Sequence, residues 1–460
     1  MPRTRRLTTG LAALAMLALA ACGGGDSGDD NSITVWTTDT LPDRVAATEA
    51  IIKKFTAETG IEVELVGVAE DQFTQTLTSA AAAGDLPDVI GSLSLASVRT
   101  LSANDLLDTD AAAAVVESLG EDTFSQEALA LTSDGDTQLS VPSEIWSQLL
   151  IYRKDLFEEA GLAPPETYDD IAAAAQELNT GDVAGFVGPT APGDSFTQQT
   201  FEHIALANGC ELVDDSGEVA LDSSECVGAF EFYGNLVTDY SIPGAQDVDT
   251  VRAQYFAGKA AMIVWSTFIL DEMAGLRDDA LPSCPECRED PTFLAENSGF
   301  VTALQGPDGD EPAQFGEVIS WAIPTGSSSD SAQQFVEYLM ADGYVDWIAI
   351  APEGKFPARE GTQDNAQEYV EKWDTLPVGV DTKAPLSDFY PPEVLEVLRT
   401  GPEAFDRWGI VQGQGDLVGA ILGELPVPKA VAELASGEVD AQTAAEDAAE
   451  SVRSIQESLP

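Results

Sequence analysis

Residues 32–90 decide the fold: SITVWT at 32–37, an amphipathic stretch at 45–59, an alternating stretch at 61–68, a second amphipathic stretch at 71–83, and Pro87-Asp88-Val89-Ile90. The first run is rich in β-branched and aromatic residues and reads as a strand. In the second, Ile51, Ile52 and Phe55 share one face of a helix that Gly60 stops. Ile61, Val63 and Leu65 then alternate as in a half-buried strand, and the next helix closes at Gly84. Strand, helix, strand, helix, strand, with helices of about 12 residues, predicts right-handed βαβ units on a parallel sheet. The pattern resumes at 141–240, with a strand at 145–152 and helices at 154–160, 168–178, 196–208 and 224–240. The Ala- and Glu-rich end, 427–458, reads as helix. The fold class is therefore α/β, with two βα blocks.

Outward from that core, size and charge set limits. The chain has 460 residues, 44% of them hydrophobic, enough for a substantial core. It carries 80 Asp+Glu against 21 Lys+Arg, a net charge of −59. Residues 1–21 hold Arg3, Arg5, Arg6 and no acid, so without them 18 basic residues face 80 acidic ones, a net charge of −62. Nucleic acid and anionic membrane surfaces are repelled by such a chain. High salt shortens the screening length from about 10 Å at 0.1 M to about 3 Å at 1 M. Both a high-salt habitat and an ordinary acidic extracellular protein fit this composition.

The N-terminus reads as an export signal. MPRTRR is a basic head, and 7–21 is apolar but shorter than the ~20 residues a spanning helix needs. Leu19-Ala20-Ala21-Cys22 looks like a bacterial lipobox, with Cys22 as the lipidated first residue of the mature chain and 22–32 as a flexible tether. An ordinary signal with a stray Cys is the alternative, and Arg5-Arg6 is compatible with twin-arginine export. The expected location is extracytoplasmic, anchored to the outer face of the cell membrane by a lipid on Cys22 only. Disulfides persist in that compartment. Cys210 and Cys226 flank a hairpin-like stretch and read as a disulfide; Cys284 and Cys287 form a C-x-x-C that reads as a small loop-closing disulfide. With one His and no second C-x-x-C, a zinc site lacks ligands.

Four segments carry a family resemblance. Gly84-Asp85-Leu86-Pro87-Asp88-Val89 resembles a G-x-x-P-D-V strand opening. Val141-Pro142, then Tyr152-Arg153-Lys154-Asp155-Leu156-Phe157 through Leu162, then Pro165-Glu166-Thr167-Tyr168, resembles V-P, Y-N-K-D-L-F-x-x-A-G-L and P-x-T-W. Phe256 through Met262 resembles F-x-x-G-K-A-A-M, and Ile323-Pro324 followed by Phe335–Leu339 and Pro357-Ala358-Arg359 resembles a late helix and P-A-R loop. Together they resemble the extracellular solute-binding proteins of bacterial ABC importers, in the sugar-binding group that includes the maltose binders. Arg153 stands where Asn is usual and Tyr168 where Trp is usual. The resemblance implies the two-lobe periplasmic-binding-protein fold, each lobe a βα sheet domain, joined by crossing strands with a ligand cleft between. Lobe 1 is placed at 33–146 and 302–348, lobe 2 at 150–300 and 354–460. It further implies a monomer that gives a sugar to membrane permease subunits, with no cofactor and no enzymatic activity.

Ligands of open α/β sheets sit beyond the carboxyl ends of the strands, and a sugar needs aromatic platforms with polar groups at the rim. Trp36 and Asp39 follow the first strand, Glu144 and Trp146 sit at the first crossing, and Trp265 and Ser266 end another strand. Trp321 lies near the return crossing, Arg359 ends the P-A-R loop, and Asp88 braces the turn after Pro87. These nine are the candidate ligand contacts; Trp347, Trp373 and Trp408 are assigned to the core. His203 reads as a core or surface residue, and no G-x-S-x-G, H-E-x-x-H or Walker loop is present. A quaternary ammonium osmolyte or a polyamine in an aromatic cage is the alternative ligand. A secreted glycosidase is a remote one, because two carboxylates suffice for that chemistry.

Overall fold

The computed structural model describes residues 31–403 and 405–459. The signal and Cys22 lie outside them. Strand β1 (Ser32–Thr37) leads into α1 (Pro42–Thr59), β2 (Glu62–Gly67), α2 (Glu70–Ala83) and β3 (Val89–Leu93). Pro42 starts α1 where its missing N–H costs nothing, and Gly60 ends it at φ +78°, its N–H on the Thr56 carbonyl. Val35 sits opposite Leu65 on one side and Val89 on the other, both in parallel register. Helices α3 (Leu95–Ala103) and α4 (Thr109–Leu119) complete the opening block.

One long strand, β4 (Val141–Arg153), then belongs to both sheets. It is followed by α5 (Lys154–Ala160), α6 (Tyr168–Leu178), α7 (Ser195–Ala207), α8 (Ser224–Asp239) and α9 (Val248–Phe256). Next come β5 (Met262–Ser266), the short α10 (Leu270–Met273), β6 (Ser298–Val301) and β7 (Gly316–Ala322). The first half of β4 pairs antiparallel with β7, from Val141 opposite Trp321 to Ser147 opposite Gly316. Its second half pairs antiparallel with β5 and β6. The crossing between lobes is therefore continuous backbone. The first sheet runs β8-β4-β7-β3-β1-β2, where β8 is Phe356–Pro357. Only β2-β1-β3 shows the parallel pairing expected from the sequence; β7 returns to the sheet from the other lobe and runs against both neighbours.

Helices α11 (Ser329–Met340) and α12 (Tyr344–Ile348) cover the first sheet, with Phe335 edge-on to Phe55 at 5.2 Å. Three helices end the chain: α13 (Gly415–Glu424), α14 (Pro426–Ser436) and α15 (Ala441–Ser458). The last two pack on α8, where Gly234 leaves room for Leu434. Two stretches depart from the expected assignment of 354–460 to lobe 2. Residues 356–373 pack on lobe 1, with Tyr369 edge-on to Tyr344 at 4.8 Å. Helix α13 lies against α3, close enough that a Cβ on Gly419 would come within 2.7 Å of the Thr100 nitrogen. Cys210 is bonded to Cys226, tying the end of α7 to the first turn of α8, and Cys284 is bonded to Cys287. His203 is fully buried, and its Nδ1 accepts the Phe315 N–H at 3.0 Å. Burial pushes its imidazole down to about 3, so the ring is neutral. Among the described residues no helix is long and apolar enough to cross a membrane.

Candidate ligand cleft

The lobe 1 wall grows from the carboxyl end of β1. Thr38 donates from its hydroxyl to the Ser92 carbonyl at 2.7 Å, and Thr37 Oγ1 accepts the Asp39 N–H at 3.1 Å. Ser92 has φ +59°, a left-handed conformation that a serine adopts only under constraint, where the β3–β7 register shifts. Such strain concentrates at functional sites. These bonds fix Asp39 above the sheet. Its carboxylate lies 3.5 Å from Arg44 Nη1 and 3.9 Å from Lys355 Nζ. Lys355 also binds Glu144 Oε1 at 2.5 Å, and Trp347 Nε1 donates to Glu144 Oε2 at 2.8 Å. The ammonium sits 4.1 Å from the centroid of the Trp347 ring. Lys355 thus joins two of the expected acids, and Glu144, buried with both oxygens taken, floors the site rather than presenting a free carboxylate.

The lobe 2 wall is the carboxyl end of β5. Trp265 packs on Phe196 from the first turn of α7, with ring centroids 4.7 Å apart. Arg252 reaches within 5.9 Å of the Trp265 ring and binds Glu272 at 2.9 Å. Burial pushes the Glu272 carboxyl up to about 7, against the pull of Arg252. Ser266 ends the strand half-buried, and Phe268 follows it. The two walls meet there: the Arg44 guanidinium of lobe 1 lies 4.9 Å over the Phe268 ring of lobe 2. A second buried ion cluster spans the lobes, with Arg407 binding Glu202 of α7 at 3.1 Å and Glu317 of β7 at 2.8 Å.

The other candidates are scattered. Trp36 is half-buried on β1 beside Val66 and Ile90, and Trp146 is half-buried against Phe315 at 5.8 Å. Trp321 corrects its assignment as a contact: it is fully buried between Trp347 at 4.8 Å and Phe335 at 6.1 Å, beneath Gly91. Strand β7 is covered on both faces there, so no ring face is open. Arg359 also turns inward. Its guanidinium, buried at 5% exposure, donates to the Thr123 hydroxyl and to the carbonyls of Met340 and Leu119, inside lobe 1 and away from the cleft. Asp88 braces the amino end of β1, accepting the N–H of Thr34 at 2.8 Å and of Ser328 at 2.7 Å, away from the carboxyl ends. Arg44, Arg252, Phe268, Glu272 and Lys355 were not anticipated. Phe268 alone carried a signal, its place just after a strand.

The pieces suit binding through ring faces and hydrogen bonds. Among the described residues no group of His, Cys, Asp or Glu is arranged to hold a metal ion.

The profile of bacterial extracellular solute-binding proteins matches residues 38–346. YcjN of Escherichia coli (strain K12), which bears the name of an ABC transporter periplasmic-binding protein, is 27% identical over 433 residues, covering 91% of this chain and 94% of that one. The diacetylchitobiose binding protein DasA of Streptomyces coelicolor is 25% identical over 377 residues, covering 76% and 81%. The structure of T. maritima MalE3 bound to maltose superposes with a TM-score of 0.70 at 18% identity, covering 92% of this chain and 99% of that one. With about two thirds of its length matched by the family profile and the two-lobe fold to go with it, this chain belongs to the bacterial extracellular solute-binding proteins, receptors rather than enzymes.

Proposed function

We propose that the chain is a lipid-anchored receptor that captures a sugar or oligosaccharide between its lobes and passes it to the permease of an ABC importer. The observation that carries this reading is the meeting of two unlike walls at one seam. Lobe 1 brings Asp39, Arg44 and Lys355, and lobe 2 brings Trp265, Ser266, Arg252 and Glu272. The Trp265 ring, only 6% exposed, and the fixed polar groups across from it suit a molecule with apolar C–H faces and a hydroxyl rim. The names of DasA and of the maltose-bound MalE3 structure support a saccharide. Trp36, Asp39, Trp146, Trp265 and Ser266 are the proposed contacts, and Cys22 the proposed lipid site. Lobes 1 and 2 meet along 147–149 and at 301, and contacts from both form only on closure, so ligand shifts an open–closed equilibrium.

The test is thermal unfolding of the soluble mature chain carrying Cys22→Ser, in 2 M NaCl, against maltose, maltotriose, laminaribiose and diacetylchitobiose, then betaine, choline and spermidine. A ligand at 100 times its Kd adds about 2.7 kcal/mol of stability. A shift with one saccharide class is the expected result. A shift with the cations alone replaces the sugar by a cationic solute, and no shift with any of them removes the saccharide reading.

A further inference from the structure

We propose that Arg44, Phe268, Asp271 and Glu353 form a latch that holds the lobes together over captured solute and takes up a proton as it closes. The inference rests on the reading of capture by lobe closure. Arg44 stands in the first turn of α1 in lobe 1, beside Asp39 at 3.5 Å and over the Phe268 ring. Phe268 is also covered by the turn that leads into β8, where a Cβ on Gly354 would come within 2.1 Å of the ring. The residue before that glycine is Glu353, and Asp271 stands three residues beyond Phe268. Both are buried, at 4% and 2% exposure. Glu353 Oε2 and Asp271 Oδ1 are each enclosed with no hydrogen-bond partner, an arrangement a permanent structural ion pair avoids. Arg44 and Glu353 of lobe 1 and Asp271 of lobe 2 thus gather around the place where the Phe268 ring meets lobe 1.

The charges there do not close if both acids are ionised. Arg44 is shared with Asp39, and Arg277, which faces Asp271, is engaged by Asp279 at 3.3 Å. Lys383 faces Glu353; Glu272, beside Asp271, is a further buried acid, pushed up to about 7 and countered by Arg252; and Tyr390, whose O–H donates to the Leu270 carbonyl at 2.7 Å, adds no positive charge. Burial pushes both carboxyls up, and Asp271 pushes Glu353 further. Opening admits water to the pair and returns both toward the ordinary carboxylate range. The closed form therefore binds more protons than the open one, so closure is favoured at low pH and weakens as pH rises. The proton comes from solvent and rests on the pair.

The experiment is calorimetric titration of the mature Cys22→Ser chain with the four saccharides above, at about pH 5.5 and about pH 8.5, in two buffers of different ionisation enthalpy. Expected is an affinity about tenfold higher at the lower pH, with up to about one proton taken up per solute bound. Glu353→Gln, close in volume, should flatten the pH dependence to within about twofold. Arg44→Gln, which removes the latch's cation but leaves both acids, should weaken binding at both pH values and keeps the test open where Glu353→Gln fails to fold. A saccharide whose affinity ignores pH in the parent chain overturns the latch and leaves the receptor reading standing. Four saccharides that all fail to bind overturn that reading, and the latch with it.

Discussion

Two arginines near the lobe crossing, one buried and one half-buried, illustrate two uses of a positive charge. Arg359 gives its guanidinium to one hydroxyl and two backbone carbonyls, all within lobe 1. Arg44 holds one carboxylate at 3.5 Å and the face of one ring, and that ring belongs to the other lobe. The first is fully satisfied and local; the second is partly satisfied and reaches across the cleft. Trp321 and Trp265 are both buried, but Trp321 is enclosed by its own lobe while Trp265 ends its strand beside Phe196 and Arg252. A charge paired within one lobe marks what must not move, and a charge that reaches the other lobe marks where the two are expected to close.

The sharpest way to break that comparison is to remove each arginine. Arg359→Ala should cost about 3–5 kcal/mol of stability, because buried partners lose their donors. Arg44→Ala should cost under about 1 kcal/mol, as for a marginal ion pair, while weakening solute binding. Urea unfolding and calorimetry together check both, and equal stability losses would erase the distinction. Trp321→Ala should cost about 3–5 kcal/mol of stability with affinity nearly unchanged. Trp265→Ala should lose about 1–3 kcal/mol of affinity, taking the magnitude of aromatic stacking on a ring-bearing ligand. The reverse pattern would exchange their roles.

Smaller effects probe the interior. His203 is held neutral in the fold at about 3, so the unfolded chain binds the extra proton between pH 6.5 and 3. Stability should therefore fall as pH drops through that window, by up to about 1.4 kcal/mol per unit, and His203→Gln should remove that part of the slope. Salt gives the smallest expected change. With 80 acids against 21 basic residues, stability should rise between 0.1 and 2 M NaCl as the Debye length shrinks. A flat response would favour an ordinary extracellular protein over a high-salt one.

The opening βα block was legible because each signal was local: alternation in β2, the apolar face of α1, and Gly60 at its end. Helices 154–160 and 168–178 appear at those bounds for the same reason. Residues 141–144 of β4 were not read as strand, since Pro142 and Glu144 look like loop residues. Its pairing with β7, with a register shift between them, overrides that composition. The antiparallel return of β7 and the packing of 356–373 on lobe 1 depend on contacts between distant segments. Asp39, Trp265 and Ser266 were chosen as candidates for their position after a strand, and the structure puts them beside the seam. Trp321 and Arg359 were misplaced because local sequence does not say that a strand is covered on both faces, or that a loop arginine points inward. Arg44 and Lys355 were missed because their partners lie in other segments.

The most direct test of capture between the lobes is small-angle X-ray scattering of the soluble mature chain, alone and saturated with the saccharide that stabilises it most. Closure requires the radius of gyration to fall on binding, and to fall less in Arg44→Gln at equal saturation. A bound saccharide that leaves the radius unchanged would contradict capture by closure.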